Sequence, residues 1–94
     1  MESFPEQIRA AEALIEMGKL YEDLSGQQQK AVDSYLKLAE LFPENPLAPR
    51  YLFRAAELAE GKLKDREQAN EIYGRLAREY PESEEGREAT DKIK

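Results

Sequence analysis

The groups in this chain best suited to chemistry are carboxylates, guanidinium groups and phenols, because histidine and cysteine are both absent. That absence removes the commonest general base, any thiolate nucleophile and the usual transition-metal ligands, so no metal and no cofactor is expected. Arg50 and Arg54 stand one helical turn apart, a spacing at which two guanidinium groups can grip one carboxylate. The same spacing also suits solvated side chains, or pairs with Glu57 or Glu12. Glu82, Glu84 and Glu85 with Ser83 form an acidic cluster, but without the alternating ligands of a calcium loop. It reads as negative charge placed at a helix N-terminus. The other glutamates are scattered, not set on the opposed walls that a two-carboxylate glycosidase needs, and no glycine-rich phosphate loop is present. Tyr21, Tyr35, Tyr51, Tyr73 and Tyr80 fall at helical spacing and suit a core better than a base-stacking platform. The expectation is a binding protein and not an enzyme.

A chain of 94 residues makes one small domain, and it must hold its core without disulfides. The net charge is −6 with both signs intermixed, the pattern of charged helix surfaces and not of a disordered tail. Nine acids and four bases lie in residues 1–47, against eleven and ten in residues 48–94. The acidic balance disfavours nucleic acid and anionic lipid. No apolar run approaches a membrane span. Residues 1–6 lack the basic region and apolar core of a signal peptide, so the expected location is cytoplasmic by default, unless the chain is a piece of an envelope protein.

The elements that must position these groups emerge when the chain is laid on itself. Residues 31–44 read AVDSYLKLAELFPE and residues 69–82 read ANEIYGRLAREYPE, an offset of 38 with six identities and one aromatic exchange, Phe42 for Tyr80. The alternative, two unrelated amphipathic helices that both end at proline, leaves the identities unexplained. Ala31, Tyr35 and Leu38 share one helical face, as do Ala69, Tyr73 and Leu76. The small alanine lets a neighbouring helix approach and the ring fills the space one turn on. Pro43 and Pro81 stop the two helices.

Another helical pattern precedes each of these segments. The first begins near Pro5 and ends at Ser25-Gly26. Its apolar positions include Ile8, Ala11, Leu14, Ile15, Met17, Gly18, Tyr21 and Leu24. The second has Asn45 as N-cap, Pro46 at the first helical position and Pro49 within the first turn. Leu52, Ala55, Ala56, Leu58 and Ala59 form its buried stripe. Ser83 caps a short last helix, weakened by Gly86, with Ala89 and Ile93 facing inward. The prediction is five helices, at about 5–24, 28–42, 46–62, 66–80 and 84–93, with no sheet and with antiparallel neighbours.

Leu14, Met17, Gly18 and Tyr21, followed by Ala31, Tyr35, Leu38 and Pro43, resemble the tetratricopeptide repeat. Leu52, Ala55, Ala56 and Ala59, followed by Ala69, Tyr73, Leu76 and Pro81, resemble it again, although Ala56 stands where that family has Gly and Ala59 where it has Tyr. Leu also replaces the family's Ala near the end of each second helix. Both units exceed the family's length of about 34 residues. One extra residue is expected in each inner turn (near 25–28 and 62–66) and about three between the units. The ending Leu76-Ala77-x-x-Tyr80-Pro81-Glu82-Ser83 looks most like repeats of the bacterial outer-membrane-assembly and envelope-coordinator type.

The resemblance implies an all-α, right-handed helical-repeat superhelix, a single domain over 1–94. Repeat one would cover about 11–44, repeat two about 49–82 and a C-terminal capping helix about 84–93. It further implies a concave surface, lined by the first helix of each pair, that holds a peptide or helix of a partner protein. On that surface it places Glu12, Ile15, Lys19 and Glu22 from repeat one, and Arg50, Phe53, Glu57 and Glu60 from repeat two, with Arg54 at the edge. Ile15 and Phe53, at the same offset of 38, are expected to anchor an apolar side chain of the partner; the alternative for Phe53 is packing against an adjacent helix. The family's chaperone-tail clamp is not expected, because Ile15, Lys19 and Arg54 stand where its Lys and Asn residues would. The partner is expected to be protein or peptide, with no nucleic acid and no membrane insertion. The second reading is a self-association module, with the first helix pairing with another copy through Phe4 and Ile8 to give a homodimer.

Overall fold

The first helix starts where a proline is tolerated and ends where a glycine is favoured. In the computed structural model, which describes residues 4–93, α1 spans Phe4–Asp23 with Pro5 in its first turn. Gly26, just beyond its end, has φ of +78°, a left-handed conformation that L-residues avoid. Helix α2 spans Gln28–Leu41, α3 Ala48–Gly61, α4 Arg66–Glu79 and α5 Glu84–Lys92. Phe42 and Tyr80 cap α2 and α4 by donating their N–H groups to Leu38 and Leu76, and the prolines that follow prevent another turn. Asp65 Oδ1 accepts from the Gln68 N–H (3.0 Å) to start α4, and Ser83 Oγ accepts from the Gly86 N–H (2.9 Å) to start α5.

The start of α3 differs from the sequence expectation. Asn45 does not cap it. The Asn45 side chain accepts from the Leu47 N–H (2.9 Å), its carbonyl accepts from the Ala48 N–H (2.9 Å), and the helix begins two residues later than expected. Pro49 is the reason. In a helix capped by Asn45 it would be the fourth residue, the first whose N–H must donate to a helical carbonyl, and proline has none. Starting at Ala48 moves Pro49 to the second position, and Tyr51 makes the first bond, to Leu47 (3.1 Å).

Each helix packs on the next in the chain: α1 on α2, α2 on α3, α3 on α4 and α4 on α5. The result is a slab of 40 × 34 × 17 Å. Its core is built from the predicted small-and-aromatic pattern: Ala31, Tyr35 and Ala39 from α2, Leu52, Ala56 and Ala59 from α3, and Ala69, Tyr73 and Leu76 from α4, all fully buried. Gly18 is required by Tyr35, since a Cβ at position 18 would lie 2.2 Å from the ring. Gly86 is likewise a contact position and not simply a weak point in α5. A Cβ there would lie 1.8 Å from the Tyr80 carbonyl oxygen, so its absence lets α5 seat against the end of α4.

Four apolar residues read as inward-facing are exposed, namely Ile8, Met17, Leu24 and Ile93. Phe4, expected beside Ile8 in self-association, has its side chain outside the described residues. The five helices are the only regular elements among the described residues, so the fold is the all-α array of two helical hairpins and a closing helix.

Candidate partner-binding groove

Helices α1, α3 and α5, the alternate members of the array, border an open hollow of about 660 Å³. Helix α1 contributes Lys19 and Glu22, and α3 contributes Arg50, Tyr51, Phe53, Arg54 and Glu57. Helix α5 contributes Glu84, Glu85, Arg87, Glu88 and Asp91. Six of the nine residues placed on the concave surface from the sequence therefore meet here: Lys19, Glu22, Arg50, Phe53, Arg54 and Glu57. Glu60 lies outside the hollow's lining. Glu12 and Ile15 do too. They line a separate hollow between the first half of α1 and the α2–α3 connection, with Ile8, Phe42 and Leu47. Ile15 is only 5% exposed and packs with Ala11 and Leu38, so its placement differs from that of an exposed anchor.

Aromatic rings form the floor of the α1–α3–α5 hollow. Tyr51 stacks on buried Tyr35 with centroids 5.0 Å apart, and the Lys19 ammonium lies 5.9 Å from the Tyr51 ring centre. Phe53 meets buried Tyr73 edge-on, centroids 5.5 Å apart. Phe53 thus packs on the neighbouring helix, as the alternative reading expected, and leaves part of its surface to the hollow.

The charges are ordered around one carboxylate. Glu22 accepts hydrogen bonds from the Tyr35 hydroxyl through Oε2 and from Arg54 Nε (2.9 Å) and Nη2 through Oε1. This ties together α1, α2 and α3. Burial pushes the Glu22 carboxyl up, but the bonds from Arg54 and Tyr35 and the charges of Arg54 and Lys19 outweigh it and hold the group below its ordinary 4.5. Burial and the same carboxylate push the Tyr35 hydroxyl well up. Arg54 also approaches Glu57 at 3.8 Å. Its fork is therefore occupied, and the paired-arginine clamp on a ligand carboxylate is not assembled. Arg50 is exposed and has no ion-pair partner among the described residues.

The Glu22 cluster has a counterpart 38 residues on. Tyr73, Glu60 and Lys92 correspond to Tyr35, Glu22 and Arg54. Lys92 Nζ lies 4.0 Å from Glu60 Oε1 and 5.9 Å from the Tyr73 ring centre. The second cluster is looser. The Tyr73 hydroxyl is buried without a partner at hydrogen-bonding geometry, and burial followed by the charges of Glu60, Glu57 and Glu88 pushes it up to about 12.

The same offset shows what α5 is. Residues 84–92 correspond to residues 46–54, so α5 occupies the place of a third first helix and closes the groove with an acidic wall. Sequence reasoning treated it as a cap: it read Glu84 and Glu85 only as charge at a helix N-terminus, and it did not name Arg87, Glu88 or Asp91. The usable signals were Lys92 against Arg54 and Ser83 against Asn45. Among the described residues no group of acids is arranged to hold a metal, and no helix is long and apolar enough to cross a membrane.

An array of helical hairpins with an aromatic-floored hollow on its alternate helices is the architecture of a helical-repeat protein. The family model described as tetratricopeptide repeat matches residues 12–45 and 50–83. The chain belongs to the tetratricopeptide repeat family, whose members generally mediate protein–protein interaction and typically act as non-enzymatic scaffolds. The two matched spans leave residues 46–49 between them, the segment in which Pro46 and Pro49 delay α3. No curated protein and no solved structure matches the chain at the level taken as significant.

Proposed function

We propose that the hollow between α1, α3 and α5 holds a peptide or helix of a partner protein. The observation that carries this reading is the union of an aromatic floor with walls of opposite charge. Tyr51 and Phe53 offer partly exposed apolar rings, the residue type that dominates binding energy at protein interfaces. Lys19 of α1 and unpaired Arg50 of α3 supply positive charge, and Glu84, Glu85 and Glu88 of α5 supply negative charge. A segment with an apolar anchor flanked by an acid toward α1 and a base toward α5 complements this groove, and the charges set its direction. The likeness of residues 76–83 to bacterial envelope-coordinator repeats favours a partner among envelope proteins.

Selection of displayed random peptides on the chain, followed by calorimetric titration, tests the reading. The selected peptides are expected to carry that apolar-plus-charge pattern. Arg50→Glu is expected to weaken them by about tenfold or more, the loss of roughly one well-placed ion pair and its replacement by repulsion. Arg50 is exposed, so this variant stays folded. Phe53→Ala removes the ring and is expected to abolish binding, but its edge contact with Tyr73 makes an unfolding control necessary. Peptides insensitive to Arg50→Glu would refute the assignment.

A further inference from the structure

Helix α1 carries a second apolar feature, on the side turned away from the groove. Met17 and Leu20 are 43% and 64% exposed, and Leu24, the residue just past the helix end, is 52% exposed. With the smaller Ala10 and Ala13 they fall at intervals of three and four residues, which is one continuous seam on a helix. The internal repeat shows what such a seam takes. Its equivalents on α3 for positions 10, 17 and 20 are Ala48, Ala55 and Leu58, all three buried in a helix that packs on α2, while those of Ala13 and Leu24 are half-buried Tyr51 and exposed Lys62. No described element covers the stripe on α1.

We propose that two copies of this chain pair through α1, antiparallel, about a two-fold axis beside Met17. The seam is complementary to itself in that arrangement and in no parallel one. With Met17 packing on Met17 at the axis, Ala10 of one copy comes near Leu24 of the other and Ala13 near Leu20, so each leucine meets an alanine. The flanking charges agree. Arg9 of one copy comes beside Asp23 of the other, and both residues are exposed with no partner among the described residues. Glu16 falls near the axis and faces its own copy, a repulsion that keeps the pair dissociable. The opposite end of the array offers no such continuous seam among the described residues: Arg87, Glu88 and Thr90 on α5 are polar and exposed, and Ile93 at its end is a single exposed apolar residue. Association therefore stops at two. This contact is separate from the groove, and both grooves of the pair stay open.

Sedimentation velocity of the whole chain, from low micromolar to submillimolar concentration, is the test. The expected result is a reversible monomer–dimer equilibrium. Leu20→Glu should weaken it about a hundredfold or more, because the side chain is buried in both copies, while far-ultraviolet circular dichroism and unfolding remain unchanged. Arg9→Asp alone and Asp23→Arg alone should each weaken it several-fold, and the double variant should restore it, since the charges exchange across the axis. A chain that stays monomeric throughout overturns the proposal, as does a dimer indifferent to Leu20→Glu or one that the double exchange fails to restore. In the first case the seam belongs to some other helix.

Discussion

Glu22→Ala removes the acceptor on which three helices converge, and its cost can be worked out group by group. The Tyr35 hydroxyl is fully buried and bonded to Glu22. Without the carboxylate it becomes an orphaned donor, which costs about 1–3 kcal/mol. Arg54 also loses its partner, but its side chain is 43% exposed and water replaces Glu22 there, so that part contributes at most about 1 kcal/mol. The expected loss in urea unfolding at neutral pH is about 1–4 kcal/mol. Tyr35→Phe is the control. It removes donor and orphan together and leaves Glu22 with Arg54, so it costs about 1 kcal/mol. In a Tyr35→Phe background Glu22→Ala should therefore cost clearly less, a coupling of about 1–2 kcal/mol. The pH dependence has a definite sign. The folded-state pKa of Glu22 lies below its ordinary 4.5, so its stabilisation is fully present above that value and is lost as pH falls through the folded pKa. The gap between wild type and Glu22→Ala should narrow in that acidic range and stay level above it. Additive single and double variants, or a gap that widens on acidification, would refute the argument.

Glu60→Ala, at the corresponding position of the second repeat, should cost under about 0.5 kcal/mol, because Glu60 and Lys92 are both over 40% exposed and 4.0 Å apart; thermal melts of the two alanine variants side by side check the contrast. Lys64 has φ of +53° at the position equivalent to Gly26, so Lys64→Gly should stabilise the chain by about 1 kcal/mol and Gly26→Lys should do the reverse, both read by urea midpoint. Gly18→Ala should cost about 1–3 kcal/mol through its clash with the Tyr35 ring, measured in the same titration. Gly86→Ala should loosen α5 through its conflict with the Tyr80 carbonyl, seen as faster amide hydrogen exchange over residues 86–93 than in the wild type.

Contacts close in sequence were readable and distant ones were not. Pro43 and Pro81 announced the ends of α2 and α4 within a residue, and the alanine–tyrosine–leucine spacing named the core of both second helices. Those signals are local: a ring closure, a missing N–H, a helical period. The start of α3 was misplaced because two prolines compete there, and only the demand for a donor at the fourth helical position decides between them. Arg54 was read against Glu57 and Glu12, yet its main partner is Glu22, 32 residues earlier. That pairing depends on how α1 and α3 sit across α2, which helical period alone does not specify. Ile15 shared its repeat position with Phe53 but not its surroundings, since Leu38 and Ala11 cover it. Met17 and Leu24 were misread for the opposite reason, and Leu20 beside them was not named at all. All three have core-like types, and only the coordinates show that no element lies over them.

The groove between the alternate helices is best tested by amide chemical-shift mapping, with isotopically labelled chain titrated with a peptide selected on it. The account predicts that the largest shifts fall at Lys19, Glu22, residues 50–57 and residues 84–91, and that they vanish for Arg50→Glu at equal peptide concentration. Shifts concentrated along Gln7–Ile15 and residues 41–47, or on the outward faces of α2 and α4, would contradict it.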